Sequence, residues 1–184
     1  MSCDISKGKA ILACKDNVGG LKAIYLANYD DYGFTINAGS TAGNVLSGLG
    51  ALGATGSEVY KYELKNTGNT FTEEITSNRD AGTTSFKQSL NFVTSKLSAE
   101  MHFQIKMMAW GRPIIFVESN SGLVFIMGME NGCEVTGKAE IQGALTGMNG
   151  YTMTATAEEK DSIYYLDSTS VTALKALVST SNVA

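Results

Sequence analysis

The sequence predicts a mainly β protein, an antiparallel β-sandwich or barrel with one flanking α-helix. Segments with the two-residue period of a half-buried strand recur along the chain, as where Phe86, Leu90 and Phe92 alternate with polar residues. Clusters of Gly, Asn, Asp and Ser separate these segments, and the chain has a single proline, Pro113. Only one segment has a convincing helical period. Strands with one apolar face must bury it against another layer, which favours a sandwich or barrel.

The first half of the chain contains five predicted strands. An apolar and aromatic run follows Gly20, and a turn at residues 30–33 leads into a second strand. The third strand places Tyr60, Tyr62 and Leu64 on one face, and the fourth places Phe71 and Ile75 together. The predicted strands are residues 21–29, 34–36, 59–65, 70–77 and 85–91.

The predicted helix begins after Ser98, a residue type that caps helix N-termini, and ends at Gly111 before Pro113. Glu100 lies in its first turn, where the helix dipole favours a negative charge. Three apolar side chains, Met101, Ile105 and Met108, recur at helical spacing. This face is expected to pack on the sheet, and Trp110 at the end of the helix is expected to be packed as well.

The second half returns to strands. Residues 119–122 indicate a hairpin turn between two of them. The predicted strands are residues 113–118, 123–127, 133–140 and 151–159. Near the C-terminus, Val171, Leu174, Leu177 and Val178 are compatible with either a short helix or a packed arm.

The composition is poor in charge. Of 184 residues, 17% are charged and 20 are Gly, and the net charge is −4 with a pI near 5.0. An average soluble domain has about 25% charged residues. The acidic balance argues against a nucleic-acid binder, which needs a basic surface. Few charges together with 8 Tyr, 7 Phe and 8 Met indicate burial in a homo-oligomer, although a merely neutral monomer has the same composition.

The chain is interpreted as one domain, residues 1–184, with an N-terminal arm at 1–20 and a Gly-rich insertion loop at 37–57. The loop has no charge. A solvated linker does not need large apolar side chains, yet the loop contains four. We therefore favour a loop that orders on a neighbouring subunit over a disordered linker. The assembly-interface candidates are Val45, Leu46, Leu49 and Leu52.

No catalytic, cofactor-binding or metal-binding residue is predicted. His102 has no partner at a motif spacing, and residues 37–57 lack the lysine of a phosphate-binding loop. Paired acids at 30–31, 73–74 and 158–159 point to opposite faces of strands and are interpreted as solvated edges. Cys3, Cys14 and Cys133 fit three reduced cytosolic thiols. Neither a signal peptide nor a transmembrane run is evident, so synthesis and maturation in the cytoplasm are expected.

The order of elements between residues 58 and 166 resembles the tail tube proteins of tailed bacteriophages. A Tyr-Lys-Tyr-Glu-Leu strand comes first, and later a helix and Gly111-Arg112-Pro113 precede a strand. Before residue 58 the resemblance is limited to a Cys-Lys-Asp-X-Val-Gly-Gly segment. The matching segments are residues 14–20, 60–64, 71–72, 78–88, 111–113, 127–132, 134–136, 143–147, 149–152 and 158–160.

The resemblance implies a virion structural protein that self-assembles into rings, commonly hexameric, which stack into a hollow tube. It implies assembly in the host cytoplasm and contacts with itself and with other tail proteins such as sheath, terminator or hub. DNA would pass through the lumen without specific binding during genome ejection. The slightly acidic balance of the chain also suits such a conduit, because like charge keeps DNA from adhering.

Three alternatives remain open. The same fold serves ring-forming tail hub, adaptor and terminator subunits and the tubes of type VI secretion systems. A carbohydrate-binding β-sandwich would need an exposed aromatic platform, for which Trp110 is the only tryptophan. An enzyme is the least favoured class, since no pattern of catalytic residues is found.

Overall fold

The computed structural model describes residues 7–11, 15, 17–29, 44–46, 58–65 and 67–180. The predicted strand at 34–36 and the acid pair at 30–31 lie outside these residues. The strands are β1 Leu21–Ala27, β2 Val45–Leu46, β3 Tyr60–Glu63, β4 Thr70–Asn78, β5 Thr83–Ser95, β6 Ile114–Ser119, β7 Val124–Met127, β8 Glu134–Ile141, β9 Asn149–Glu159 and β10 Tyr164–Leu166. The helices are α1 Ala99–Trp110 and α2 Ser168–Ala176.

The strands form two sheets that are mostly antiparallel, which confirms the predicted fold class. A six-stranded sheet has the order β2-β10-β7-β6-β1-β3, and a four-stranded sheet has the order β4-β5-β9-β8. The only parallel pair between named strands in the described residues joins β10 and β2. Both short strands, β2 and β10, lack a sequence signal, because two or three residues carry no measurable period.

The first core lies between the two sheets. Side chains from one face of each sheet meet there, including Ile24 of β1, Phe92 of β5 and Met153 of β9. Helix α1 adds Met101, which is buried, with Ile105 and Met108 packed against the same core. The predicted packing face of the helix is therefore confirmed.

The second core lies on the opposite face of the six-stranded sheet. Tyr25 of β1, Phe116 of β6 and Ile126 of β7 pack there against Leu174 of α2. Both faces of β6 are covered, so it is buried at nearly every position and begins with four apolar residues, whereas burial alternates along strands of the four-stranded sheet such as β9. The ambiguous C-terminal segment is thus a helix that forms a third layer, so the fold has two helices in the described residues rather than the one expected.

Both helix starts follow from capping. The Ser98 hydroxyl accepts the Met101 N–H at 3.1 Å. At the other end of α1 the Gly111 N–H donates to Met107 C=O at 2.9 Å, and the extended backbone of Gly111 ends the helix. In α2 the Asp167 carboxylate accepts the Ser170 N–H at 2.8 Å. The Ser98 and Asp167 bonds satisfy N–H groups that the first turn of a helix leaves without an internal partner.

Candidate assembly surfaces

The four-stranded sheet has two edges, β4 and β8, with no strand beside either in the described part of the chain. Each neighbouring pair in this sheet is antiparallel. Because the four strands alternate in direction, the two edge strands β4 and β8 run in opposite directions. Copies of the chain related by rotation would therefore bring β8 of one copy beside β4 of the next in an antiparallel sense. An odd number of strands would have made this contact parallel.

The hydrogen bonds around β8 identify the backbone groups that face its open edge. Gln142 N–H donates to Met148 C=O at 2.8 Å, just beyond the β8–β9 ladder. Since successive residues of a strand alternate in direction, the even-numbered residues of β8 bond to β9. The odd-numbered residues, including Gly137 and Ala139, direct their N–H and C=O groups away from the sheet.

The same argument applies to β4. Lys96 N–H donates to Asn149 C=O at 2.7 Å, so even-numbered residues of β5 face β9 and odd-numbered residues face β4. The register Thr70↔Asn91 then turns the even-numbered residues of β4 toward β5. Glu73 and Ile75 are among those with outward backbone groups. Both edges thus present ladder groups that no strand of the described residues pairs with, and native proteins usually cover or pair such groups.

One face of the four-stranded sheet is polar, and we call it the polar face. Its residues alternate with the core residues of β4, β5, β8 and β9, and they are rich in hydroxyl groups. A cross-strand row joins Glu74, Lys87 and Glu158. The face includes one apolar residue, Val93, and the polar residues Thr70, Thr72, Glu74, Thr76, Ser85, Lys87, Ser89, Asn91, Glu134, Thr136, Lys138, Glu140, Thr152, Thr154, Thr156 and Glu158. Its carboxylates outnumber its lysines, so the face is mildly acidic.

A buried carboxylate, Glu118 of β6, connects α2 to the six-stranded sheet. It accepts from Tyr25 Oη at 2.6 Å, Lys175 Nζ at 3.0 Å and Lys22 Nζ at 3.2 Å. Burial opposes ionisation of Glu118, but these three hydrogen bonds lower its pKa below the ordinary value. Burial and the Glu118 bond raise the pKa of Tyr25. The cluster fastens α2 to the sheet, and its geometry is that of a structural ion pair.

The interpretation of the acid pairs as solvated edges is wrong for Glu159. Its side chain is buried and accepts the N–H groups of Glu130 and Asn131 at 3.2 and 3.1 Å. Burial raises its pKa, although these two bonds act in the opposite direction. Glu73 accepts the Ile163 N–H at 2.8 Å, so it fastens the segment before β10 to β4. Every second side chain of a strand points inward, so one member of the 73–74 pair and one of the 158–159 pair are directed to the inner side of the sheet. There Glu73 and Glu159 hold neighbouring loops in place.

The remaining candidate chemical groups are dispersed. Cys133 is a free thiol whose burial raises its pKa to about 12, which keeps it protonated. Cys3 and Cys14 lie outside the described residues. His102 is exposed on α1, with its ring centroid 6.0 Å from that of Tyr151. Within the described ranges, no group of three or more His, Cys, Asp and Glu residues could hold a metal ion.

Two of the four assembly-interface candidates from the Gly-rich loop are in the described residues. Val45 and Leu46 form β2, which pairs with Tyr165 and Leu166 of β10. Leu46 is 4% exposed and packs in the second core, so its side chain faces its own subunit and not a neighbour. Val45 is half-buried. Leu49, Leu52 and most of the 37–57 loop lie outside the described residues, and their role in assembly stays a prediction.

The expectation that Trp110 is packed is wrong, since 72% of its surface is exposed. Helical spacing places Met101, Ile105 and Met108 on the core side of α1, which leaves Phe103 and Trp110 outside. Lys106 Nζ lies 4.3 Å from the centroid of the Trp110 ring. The helix therefore presents an aromatic surface to solvent beside β3.

No known protein family, curated protein or solved structure matches the chain. No helix in the described part of the chain has the length and apolar character needed to cross a bilayer.

Proposed function

We propose that this chain is a structural subunit that self-assembles into rings, and that the rings stack into the tail tube of a bacteriophage. The observation that carries the proposal is the pair of oppositely directed edges of the four-stranded sheet, which are open among the described residues. Head-to-tail contacts between unlike surfaces close into a ring when the rotation allows. Joining β8 to β4 of the next copy would make one continuous antiparallel sheet without edges.

The polar face supports the role of a conduit. In such a ring one face of the joined sheet carries the core of each subunit, and the polar face would line the opening. Hydroxyl groups and an excess of carboxylates bind water well and repel phosphates, so DNA could pass without adhering. The role in genome delivery, the virion location and the sheath, terminator or hub partners rest on the resemblance to tail tube proteins.

Electron microscopy of the purified protein tests the proposal. Ala139→Pro removes one outward N–H of β8 and leaves the β8–β9 bonds intact, since proline is tolerated on edge strands. Ala139→Thr is the matched control, because it keeps the N–H group. We expect rings or tubes from the wild-type protein and from Ala139→Thr, and only single subunits from Ala139→Pro. A wild-type protein that remains monomeric at high concentration in analytical ultracentrifugation would contradict ring formation.

Stacking is a separate step, for which residues 37–57 stay our candidate. Deleting residues 47–53 retains β2 and removes Leu49 and Leu52. This variant should still form rings and should no longer form tubes. Long tubes from the variant would exclude the loop from stacking. Closed rings from the wild-type protein, with no tubes, would instead favour a hub, adaptor or terminator subunit.

A further inference from the structure

The outer edge of β3 has backbone groups that the described part of the chain leaves open. Leu64 N–H donates to Lys22 C=O at 3.0 Å, on the β1 side, and Val59 N–H donates to Leu177 C=O at 3.0 Å, on the other side. The direction alternates along a strand, so Lys61 and Glu63 direct their N–H and C=O groups away from β1. Among residues 58–65 and 67–180, no strand pairs with these groups.

Two cavities of about 440 and 570 Å³ lie between this edge and α1. Both are lined by Tyr60, Tyr62 and Gln104, so they form one depression along the strand. We call it the β3 trough. Tyr60 is 39% exposed and Tyr62 is half-buried, and burial raises the pKa of Tyr62 to about 12. The trough is therefore aromatic along its floor. It is bordered by β3, whose outer edge is bonded to residues 177–179 at Val59 and is open at Lys61 and Glu63 in the described residues.

The end of the trough near Trp110 is cationic. Arg112 lies with its guanidinium carbon 4.7 Å from the Tyr29 ring centroid, and Lys106 lies over Trp110. Neither cation forms an ion pair with a carboxylate in the described residues. No acidic residue lines the cavity at this end, whereas Glu63 and Glu100 line the other cavity together with Lys61 and Lys65. On a chain with a net charge of −4, two uncompensated cations beside exposed aromatic rings favour an anionic occupant.

We propose that the β3 trough binds an extended acidic peptide segment of a partner protein, which adds as a strand to β3. Backbone bonds to Lys61 and Glu63 hold the peptide, and alternate apolar side chains pack on Tyr60 and Tyr62. Carboxylates of the peptide then meet Arg112 at the helix end of the trough, and Lys106 lies beside that end, over Trp110. A saccharide fits less well, since Lys106 covers one face of the Trp110 ring and sugars make no use of an open strand edge.

The single tryptophan makes Trp110 fluorescence a direct reporter of this surface. The probe is a synthetic peptide of alternating valine and threonine that ends in two glutamates. We expect a saturable change in Trp110 fluorescence with this peptide. A peptide that ends in two lysines should bind about tenfold more weakly, because charged hydrogen bonds are lost. A peptide N-methylated at every amide should not bind, since neither of its edges can then donate to β3.

Protein variants separate the two contributions. Arg112→Gln and Lys106→Gln should each lower the affinity for the glutamate-ended peptide by about tenfold. Neither should lower the affinity for the lysine-ended peptide. Lys61→Pro removes an outward N–H and should abolish binding, whereas Lys61→Ala should not. If circular dichroism shows that Lys61→Pro does not fold, the N-methylated peptide alone tests whether the peptide pairs with β3. Absence of binding, equal binding of the N-methylated peptide, or binding of a heparin oligosaccharide in place of the peptide would overturn the proposal.

Discussion

The two sheets differ in how many of their faces are covered by the chain itself. The six-stranded sheet is covered on one face by the four-stranded sheet and on the other by α2 and the segments around it. The four-stranded sheet is covered on one face only, and both of its edges are open in the described residues. The six-stranded sheet therefore holds the subunit together, and the four-stranded sheet has the surface left for contacts with other copies.

The largest effect is expected for Phe116 in the centre of the six-stranded sheet. Phe116 is 0% exposed and packs in the second core. Phe116→Ala should lower the free energy of unfolding by about 3–5 kcal/mol, as large-to-small changes in cores do. Thr156→Ala on the polar face should change it by less than about 0.5 kcal/mol. Urea denaturation measures both, and equal losses would show that the two sheets do not differ in this way.

A smaller loss is expected where α1 joins the two sheets. Ile105→Asp would place a charge against the first core and should cost about 2–4 kcal/mol. Phe103→Asp is the matched change on the exposed side of the helix and should cost less than about 1 kcal/mol. An unchanged melting temperature for Ile105→Asp would mean that this face of the helix is accessible to water.

The Glu118 cluster should make the attachment of α2 dependent on pH. Because the folded protein lowers the pKa of Glu118, its contribution is present above the ordinary value of 4.5 and is lost as the pH falls through the folded pKa. Glu118→Ala leaves the Tyr25 hydroxyl without its acceptor and should cost about 1.5–3 kcal/mol at pH 7.

Denaturation at a series of pH values tests this contribution, with Glu118→Gln as the control that cannot ionise. The variant should lose less stability than the wild-type protein below pH 4.5. The contribution of Glu159 depends on pH in the opposite direction. Its pKa is raised in the folded protein, so its protonation at low pH favours the folded state. Identical acid profiles for the two proteins would show that Glu118 does not fasten α2 through its charge.

The smallest effect should separate two neighbours on β9. Glu158 belongs to the polar face, and Glu158→Ala should change the free energy of unfolding by less than about 0.5 kcal/mol. Glu159→Ala removes the acceptor of two backbone N–H groups and should cost about 1–3 kcal/mol. Thermal unfolding of the two variants side by side measures the contrast between the covered and the open face at adjacent positions.

The sequence predicted most of the long strands and α1, with boundaries that differ by a few residues. It did not separate Glu158 from Glu159 in burial, because alternation shows that two faces differ but not what covers each one. It also predicted the wrong environment for Trp110. The environment of a helix end depends on which distant segment packs beside it, and here that segment is β3.

By itself, the sequence determined the local structure of this protein. The two-residue period, the Gly and Asn turns and the Ser98 cap each depend on a few neighbouring residues, so they can be recognised in the sequence. The tertiary structure decided the sheet order, the open edges and the Glu118 cluster, in which Lys22 and Lys175 lie 96 and 57 residues from their partner. Such pairings depend on contacts between distant segments, for which a single sequence has no local pattern.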